Sequence, residues 1–176
     1  MDVKTEYLLG IDIGSTTAKA VLIKNRAVVY EKYARHFSKV REKCCELIKE
    51  IGNIIGDSPM SIAISGSAGL GLAESAEVAF IQEVFATGEV VRYMEPDTSC
   101  VIELGGEDAK IIFFDGGIDE RMNGSCAGGT GAFIDQMATL LDVDPDTLDR
   151  LSLDYKRIYP IASRCGVFAK PIFSRC

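Results

Sequence analysis

The sequence lacks the features that would assign it to several large classes of protein. It has no apolar run long enough to cross a bilayer, and its first six residues do not resemble a signal peptide. Positive charge is also scarce, since 19 Lys and Arg stand against 26 Asp and Glu, a net charge of −7. An acidic chain is a poor partner for nucleic acid or anionic lipid. We therefore expect a cytoplasmic protein that binds neither nucleic acid nor a membrane.

The chain also lacks low-complexity segments and any flexible linker between its halves. Its 176 residues are 47 % apolar, which suffices for one large domain or two small lobes with a proper core. The six cysteines could form three disulfides, but a cytosolic chain of this size does not need them. Metal or redox chemistry is the better hypothesis for a cysteine on a glycine loop. The single histidine, His36, is expected at the surface or at a strand end, without a catalytic role.

What the sequence does contain is a set of glycine-rich turns that follow apolar strands. The first lies in Gly10–Thr17 and the second in Leu104–Lys110. A third spans Asn123–Gly131 and includes a cysteine. Glycine adds little to a core, so repeated turns of this kind indicate places where the backbone approaches a ligand. The spacing of glycine and lysine is not that of a Walker loop.

The order of predicted elements repeats along the chain. The first half predicts an antiparallel meander, a helix with Ser38 as its N-cap, a fourth strand, a glycine turn and a second helix. The strands are 7–13, 17–24, 27–35 and 61–65, the helices run from about 39 to 52 and from 81 to 94, and the turn is 66–71.

The second half restarts the pattern with strands 99–104, 109–114 and 118–123, joined by a hairpin turn. A helix from about 130 to 141, a short helix 145–151 capped by Asp144, and a strand 158–162 follow. The repeat predicts two related α/β lobes, residues 1–96 and 97–176. We expect the ligand in the cleft between them.

The first turn suits the phosphates and Mg²⁺ of a nucleotide. Gly14 lets backbone N–H groups turn toward an anion, and Asp12 at the strand end can hold a metal-bound water. Three hydroxyl side chains add donors: Ser15, Thr16 and Thr17. A plain hairpin with a capping aspartate is the alternative, but the recurrence of the pattern at residues 103–110 favours the nucleotide.

The later turns supply further candidates. Glu107 and Asp108 are candidates to orient water or Mg²⁺, with a solvated turn as the alternative. The backbone at Gly105 and Gly106 and the side chains of Lys19 and Lys110 are further candidates to approach phosphate. Each lysine stands near a strand start, so simple exposure to solvent is the alternative for both. A helix-terminus anion site is predicted at Gly128, Gly129 and Thr130.

The two turns resemble the phosphate loops of the actin-like ATPase superfamily, which includes sugar kinases and chaperone ATPases. Four segments together resemble the ATP-dependent activators of 2-hydroxyacyl-CoA dehydratases and of benzoyl-CoA reductase: Gly10–Lys19, Glu103–Lys110, Asn123–Phe133 and Ala162–Lys170. The resemblance implies an α/β, actin-like ATPase (ribonuclease H-like) fold with two duplicated lobes. It also implies that the second lobe is truncated here. Glu103 and Glu107 depart from the family, which more often has aspartate and glutamine at these positions.

The resemblance further implies an iron–sulfur cluster. In the family, one [4Fe–4S] cluster bridges the two subunits of a homodimer through the residues that match Cys126 and Cys165. A thiolate cluster needs four sulfurs, and this chain has two cysteines on such loops, so a two-fold partner would supply the other pair. Two small buried cysteines are the alternative, and burial is what we expect of Cys44, Cys45 and Cys100.

The implied function is an ATPase that uses ATP hydrolysis to drive low-potential transfer of single electrons. Ferredoxin or flavodoxin would supply the electron, and a 2-hydroxyacyl-CoA dehydratase or related reductase would accept it. The implied cofactors are ATP or ADP, Mg²⁺ and the shared cluster. Two alternatives stay open: a cluster-free kinase or nucleotide-binding module, and a truncated domain that folds without either activity. Residues 65–79 contain no catalytic aspartate for a sugar kinase.

Overall fold

The computed structural model describes residues 7–123, 128–158, 166 and 168–169. The chain divides into two compact units, Met1–Asp97 (unit 1) and Thr98–Cys176 (unit 2). Within the described residues each unit combines an antiparallel meander with helices, so the architecture is mixed α/β. No helix in those residues has both the length and the apolar character needed to cross a membrane.

Unit 1 is built on a five-stranded sheet. Its elements are β1 Tyr7–Ile13, β2 Thr17–Lys24, β3 Ala27–Arg35, α1 Val40–Ile55, β4 Met60–Ser65, α2 Leu70–Ala76, β5 Ala79–Phe80 and α3 Glu83–Met94. The strand order is β3-β2-β1-β4-β5, antiparallel within the meander and parallel from β1 to β4 and from β4 to β5. Asn25 and Arg26 join β2 to β3 with φ angles of 51° and 65°, which suit a tight hairpin of twisted strands.

Alternation along β1 separates the core of unit 1 from the candidate site. Four alternate residues of β1 lie in the core, each at most 7 % exposed: Tyr7, Leu9, Ile11 and Ile13. Leu47 and Ile51 of α1 belong to the same cluster. Because successive strand residues face opposite sides of a sheet, Asp12 belongs to the side away from this core.

Unit 2 repeats the meander with shorter strands. Its described elements are β6 Cys100–Leu104, β7 Ala109–Phe113, β8 Asp119–Met122, α4 Gly131–Leu140 and α5 Pro145–Leu153. The strands pair antiparallel in the order β6-β7-β8. Asp144 caps α5 by accepting a 2.7 Å hydrogen bond from the N–H of Thr147, which holds the pKa of the Asp144 carboxyl below its ordinary value.

Most predicted elements are confirmed with small shifts of their ends, and α1 continues further than expected, to Ile55. The sequence does not predict α2 and β5. The glycine-rich stretch 66–71 indicates only a turn, whereas α2 begins inside it at Leu70. The predicted strand 158–162 falls, after Ile158, outside the described residues.

Some predictions about single residues are wrong. Ser38 is not the N-cap of α1, because Lys39 holds that position while Ser38 donates its N–H to the ring of His36. The expectation for His36, a place at the surface or at a strand end, is confirmed by its position directly after β3, where it is buried. Cys45 is exposed because the core face of α1 passes through Leu47 and Ile51.

Cys100 is also exposed, contrary to the expectation that it opens a buried strand. The residues of β6 alternate between exposed and half-buried, and Cys100 falls on the exposed side. Cys44 is half-buried on α1, where desolvation, followed by the neighbouring Cys45, raises the pKa of its thiol. The Cys44 thiol is therefore a weaker nucleophile than an exposed one.

Candidate functional site

An acid–lysine pair stands at the end of the central hairpin of unit 1. Asp12 on β1 lies opposite Lys19 on β2, and the Lys19 Nζ approaches Asp12 Oδ2 at 2.6 Å. The second oxygen, Asp12 Oδ1, is buried and has no hydrogen-bond partner among the described residues. A buried carboxylate oxygen normally has a hydrogen-bond partner. A cation or a bound water would supply the missing partner of Asp12 Oδ1.

Unit 2 carries the same pair at the equivalent place. Glu103 on β6 lies opposite Lys110 on β7, with Lys110 Nζ 3.9 Å from Glu103 Oε1. The Lys110 side chain is only 6 % exposed, whereas that of Lys19 is 43 % exposed. Each acid is the penultimate residue of its strand and is followed within two residues by a glycine. The repeat predicted from the sequence is therefore also a repeat of strand register.

The first glycine turn keeps its backbone hydrogen bonds at its base. The Gly14 N–H donates to the Thr17 carbonyl at 2.9 Å, which closes the turn. Within the described residues, no backbone hydrogen bond uses the N–H of Ser15 or Thr16. These two donors and the Ser15 hydroxyl, on an exposed residue, are the groups through which such a turn binds an anion.

A second segment of unit 1 supports this turn. Gly66 directly follows β4 with a φ of +96°, and a Cβ there would lie 2.2 Å from the Ile13 carbonyl oxygen. The same carbonyl accepts a 2.9 Å hydrogen bond from the N–H of Ala68. Only a glycine fits this close approach without displacing the end of β1. The sequence indicates a turn at Gly66 but gives no sign that it packs against Ile13.

The second glycine turn packs against the start of α4. The Gly131 N–H donates to the Gly105 carbonyl at 2.7 Å. The Asp108 side chain folds back over the turn, so that a Cβ on Gly105 would lie 2.4 Å from Asp108 Oδ1. Asp108 is accordingly half-buried, whereas Glu107 is exposed. Two of the glycine segments singled out in the sequence are thus in direct contact within unit 2.

The segment that leads into α4 is held from two sides. Thr130, the N-cap of α4, is fully buried, and Asn123 Nδ2 donates to the Gly128 carbonyl at 3.2 Å. Gly166 packs on the same segment, since a Cβ there would lie 3.0 Å from the Phe133 ring and 3.6 Å from the Gly128 Cα. The chain near residue 166 and the chain before α4 are therefore neighbours.

The two cysteines predicted to hold a metal, Cys126 and Cys165, lie outside the described residues. Gly128 and Gly166 are described residues close to them in sequence, and a Cβ built on Gly166 would lie 3.6 Å from the Gly128 Cα. Within the part of the chain that the structure describes, no group of three or more His, Cys, Asp or Glu side chains could hold a metal ion.

The mixed sheet of unit 1, the meander of unit 2 and the repeated acid–glycine turns are those of the actin-like ATPase fold. A solved structure with this fold is the activator of the 2-hydroxyisocaproyl-CoA dehydratase from Clostridium difficile with bound ADPNP. It matches with a TM-score of 0.78 and 28 % sequence identity, over 94 % of this chain and 63 % of that chain. The chain belongs to the BadF/BadG/BcrA/BcrD ATPase family, whose sequence model matches residues 9–176.

Two relatives are similar over most of this chain. The 2-hydroxyisocaproyl-CoA dehydratase activator of Clostridioides difficile is 29 % identical over 170 residues, 93 % of this chain and 63 % of the relative. The (R)-2-hydroxyglutaryl-CoA dehydratase activating ATPase of Acidaminococcus fermentans is 29 % identical over 177 residues, 93 % of this chain and 65 % of the relative. The chain therefore spans less than two thirds of the length of these relatives.

Proposed function

We propose that this chain binds a magnesium nucleotide, ATP or ADP, through its two glycine turns. The observation that carries the proposal is the buried Asp12 Oδ1, which has no hydrogen-bond partner among the described residues. The repeat of the acid–lysine pair in unit 2 supports a second set of contacts to the same ligand. Residues 1–96 and 97–176 would form two lobes, each of which supplies one of the two glycine turns.

In the first lobe, the turn after Asp12 would receive the phosphates. The N–H groups of Ser15 and Thr16 and the nearby hydroxyls, including Thr17, supply donors, while Gly14 leaves room for close approach. Asp12 Oδ1 fits Mg²⁺ or one of its waters, and Lys19 already neutralises the other oxygen. A bound Mg²⁺ would offset the negative charge of the phosphate oxygens.

In the second lobe, the backbone of Gly105 and Gly106 would approach the phosphates, together with the start of α4. The N-terminus of α4 adds a favourable field for an anion, and Gly128, Gly129 and Thr130 lead into it. Glu107 and Asp108 would orient water or the metal ion. The lysine of this lobe, Lys110, would hold Glu103 in place more than it contacts phosphate, because its side chain is buried.

For the whole protein, we infer an activase that hydrolyses ATP to drive single-electron transfer to a 2-hydroxyacyl-CoA dehydratase or related reductase. The support is the family and the names of the two relatives, one an activator and the other an activating ATPase of such dehydratases. A homodimer would carry one [4Fe–4S] cluster between its subunits, and ferredoxin or flavodoxin would be the electron donor. When bound, such a cluster supplies a low-potential one-electron carrier.

Cys126 and Cys165 of each subunit would hold the cluster. The closeness of Gly166 to Gly128 supports this assignment, since a Cβ built on Gly166 would lie 3.6 Å from the Gly128 Cα and each glycine is within two residues of one of the cysteines. The hydrogen bond from Gly131 to Gly105 supports coupling between the nucleotide site and the cluster. Through it the start of α4 contacts the second glycine turn, and α4 also follows Cys126 in the sequence. A shift of the turn on nucleotide binding would move the start of α4.

Calorimetric titration with ADP in the presence and absence of Mg²⁺ tests the nucleotide site. With Mg²⁺, Asp12→Asn should bind ADP about tenfold more weakly or worse, since about 1.4 kcal/mol corresponds to each factor of ten. Under chelation, wild type and variant should become alike. Asp57→Asn, an equal change on the exposed loop before β4, is the control. Equal Mg²⁺-dependent affinity of wild type and Asp12→Asn would contradict the assignment.

Iron analysis after purification without oxygen tests the cluster. We expect about four irons per dimer, because one [4Fe–4S] cluster is shared, and none after Cys126→Ala or Cys165→Ala. Cys45→Ala, which removes an exposed thiol of α1, should leave the iron content unchanged. A wild-type protein that binds ADP without iron would favour the cluster-free kinase or nucleotide-binding module.

A further inference from the structure

His36 is the single histidine of the chain, and it lies directly after β3 with only 4 % of its surface exposed. Four hydrogen bonds use all of its polar groups. Its backbone N–H donates to the Thr16 carbonyl at 3.2 Å, and its own carbonyl accepts from the Lys39 N–H at 2.7 Å. Its ring lies between the Gly14 carbonyl, 3.0 Å from Nε2, and the Ser38 N–H, 3.1 Å from Nδ1.

These contacts determine which ring nitrogen carries the proton. The Ser38 N–H is a donor, so Nδ1 must accept and is unprotonated. The Gly14 carbonyl is an acceptor, so Nε2 must carry a proton and donate it. In this tautomer the ring proton lies on Nε2, the nitrogen that faces the first glycine turn.

The hydrogen bond from His36 to the Gly14 carbonyl also fixes the direction of the Ser15 N–H. The carbonyl of Gly14 and the N–H of Ser15 belong to one planar trans peptide, so they point in opposite directions. A carbonyl held toward His36 therefore directs the Ser15 N–H away from His36. Rotation of this peptide changes the ψ angle of Gly14, and glycine has the widest range of backbone angles. A rotated peptide would present an oxygen, rather than a donor, to an anion.

We propose that His36 is a positioning residue for the phosphate-binding turn, and that it keeps the Gly14–Ser15 peptide in the orientation that offers its N–H to the nucleotide. The inference rests on the proposed nucleotide site. His36 is not one of the groups proposed to contact the nucleotide. It acts through the backbone of Gly14 and, by its own N–H, through the carbonyl of Thr16.

Two amide substitutions separate the contacts of the ring. In His36→Gln, the side-chain amide N–H reaches the position of Nε2 and can still donate to Gly14. The shorter side chain in His36→Asn reaches only the position of Nδ1, where it can accept from Ser38. His36→Leu removes both bonds while keeping apolar volume. If the Gly14 bond is what matters, His36→Gln retains nucleotide affinity and the other two variants lose it.

The experiment titrates Mg²⁺–ADP into the full chain by calorimetry and measures urea unfolding of every variant. We expect wild-type affinity for His36→Gln, and affinity about tenfold weaker for His36→Asn and His36→Leu, the size of one net hydrogen bond. Tyr30→Phe is the matched control on β3, since it removes a 2.6 Å hydrogen bond to Glu50 away from the turn. It should lower stability without changing affinity.

The outcomes distinguish this inference from the proposed function. Wild type that binds Mg²⁺–ADP no more tightly than His36→Leu overturns the positioning role, while the nucleotide site stands. Affinity that follows unfolding stability across all variants, including Tyr30→Phe, overturns it as well, because a general loss of stability would then explain the effect. Wild type that binds no nucleotide at all overturns the proposed function and this inference together.

Discussion

Gly66→Ala should place a new side-chain atom inside the backbone of a central strand. The new Cβ would lie 2.2 Å from the carbonyl oxygen, 2.4 Å from the carbonyl carbon and 2.5 Å from the nitrogen of Ile13. All three are backbone atoms of a strand that pairs on both sides, with β2 and β4. The clash therefore cannot be relieved by rotating a side chain, and β1 itself has to move.

The magnitude follows from two contributions. Alanine at a left-handed φ of +96° is strained, by about 1–2 kcal/mol for an ordinary residue in the left-handed region. Displacing a well-packed backbone adds about 1–3 kcal/mol, as for overpacked cores. We expect Gly66→Ala to lower the free energy of unfolding by about 2–5 kcal/mol. Because Ile13 lies between Asp12 and Gly14, nucleotide affinity should fall as well.

Urea unfolding followed by circular dichroism measures this effect against two matched glycines. Gly56 has a φ of +56° with nothing within 4 Å of an added Cβ, so Gly56→Ala reports the strain alone. Gly71 lies within α2, also with nothing within 4 Å, and Gly71→Ala should be neutral or stabilising. If Gly66→Ala lowers stability no more than Gly56→Ala, the close approach of Gly66 to Ile13 does not constrain β1.

Three further predictions concern other parts of the fold. Lys110→Ala should lower the free energy of unfolding by about 1–3 kcal/mol. Lys110→Met should lower it by less, because methionine keeps the buried apolar part of the lysine side chain. Equal losses of the two variants in urea unfolding would contradict this. The hydrogen bond from Lys32, followed by that from Tyr30, lowers the pKa of the Glu50 carboxyl below its ordinary value. The carboxylate therefore stabilises the fold above the ordinary pKa, and this contribution is lost as pH falls through the lowered pKa. Acid unfolding of Glu50→Gln should therefore depend less steeply on pH, and an unchanged profile would count against the contact. Gly105→Ala should displace the flexible Asp108 side chain. Calorimetry should then detect weaker ADP binding, while the free energy of unfolding changes little. A stability loss as large as that of Gly66→Ala would oppose this view.

Local patterns in the sequence predict much of the fold. The apolar runs of β1 and β6, each followed by an acid and a glycine, predict both meanders and the position of Asp12 and Glu103 near the strand ends. The tight turn at Asn25 and Arg26 and the cap of α5 are also local, so they are predicted correctly. Such features depend on neighbouring residues alone.

What the sequence does not predict depends on contacts between distant segments. The ring of His36 is buried because it reaches Gly14, 22 residues earlier, and no local pattern indicates this pairing. Gly66 similarly packs on Ile13 across two parallel strands. The sequence does not indicate α2 because two glycines, Gly69 at its N-cap and Gly71 inside it, are typical of turns. Such glycines weaken a helix prediction.

Amide chemical shifts are the most direct measurement of whether both glycine turns bind one magnesium nucleotide. Titration of the ¹⁵N-labelled chain with Mg²⁺–ADP should shift the amide signals of residues 12–17 and 103–108 together, with the same midpoint. The control positions are the amides of α5, which should stay in place. Shifts confined to one turn, or absent from both while the nucleotide binds, would show that the two turns do not bind one nucleotide.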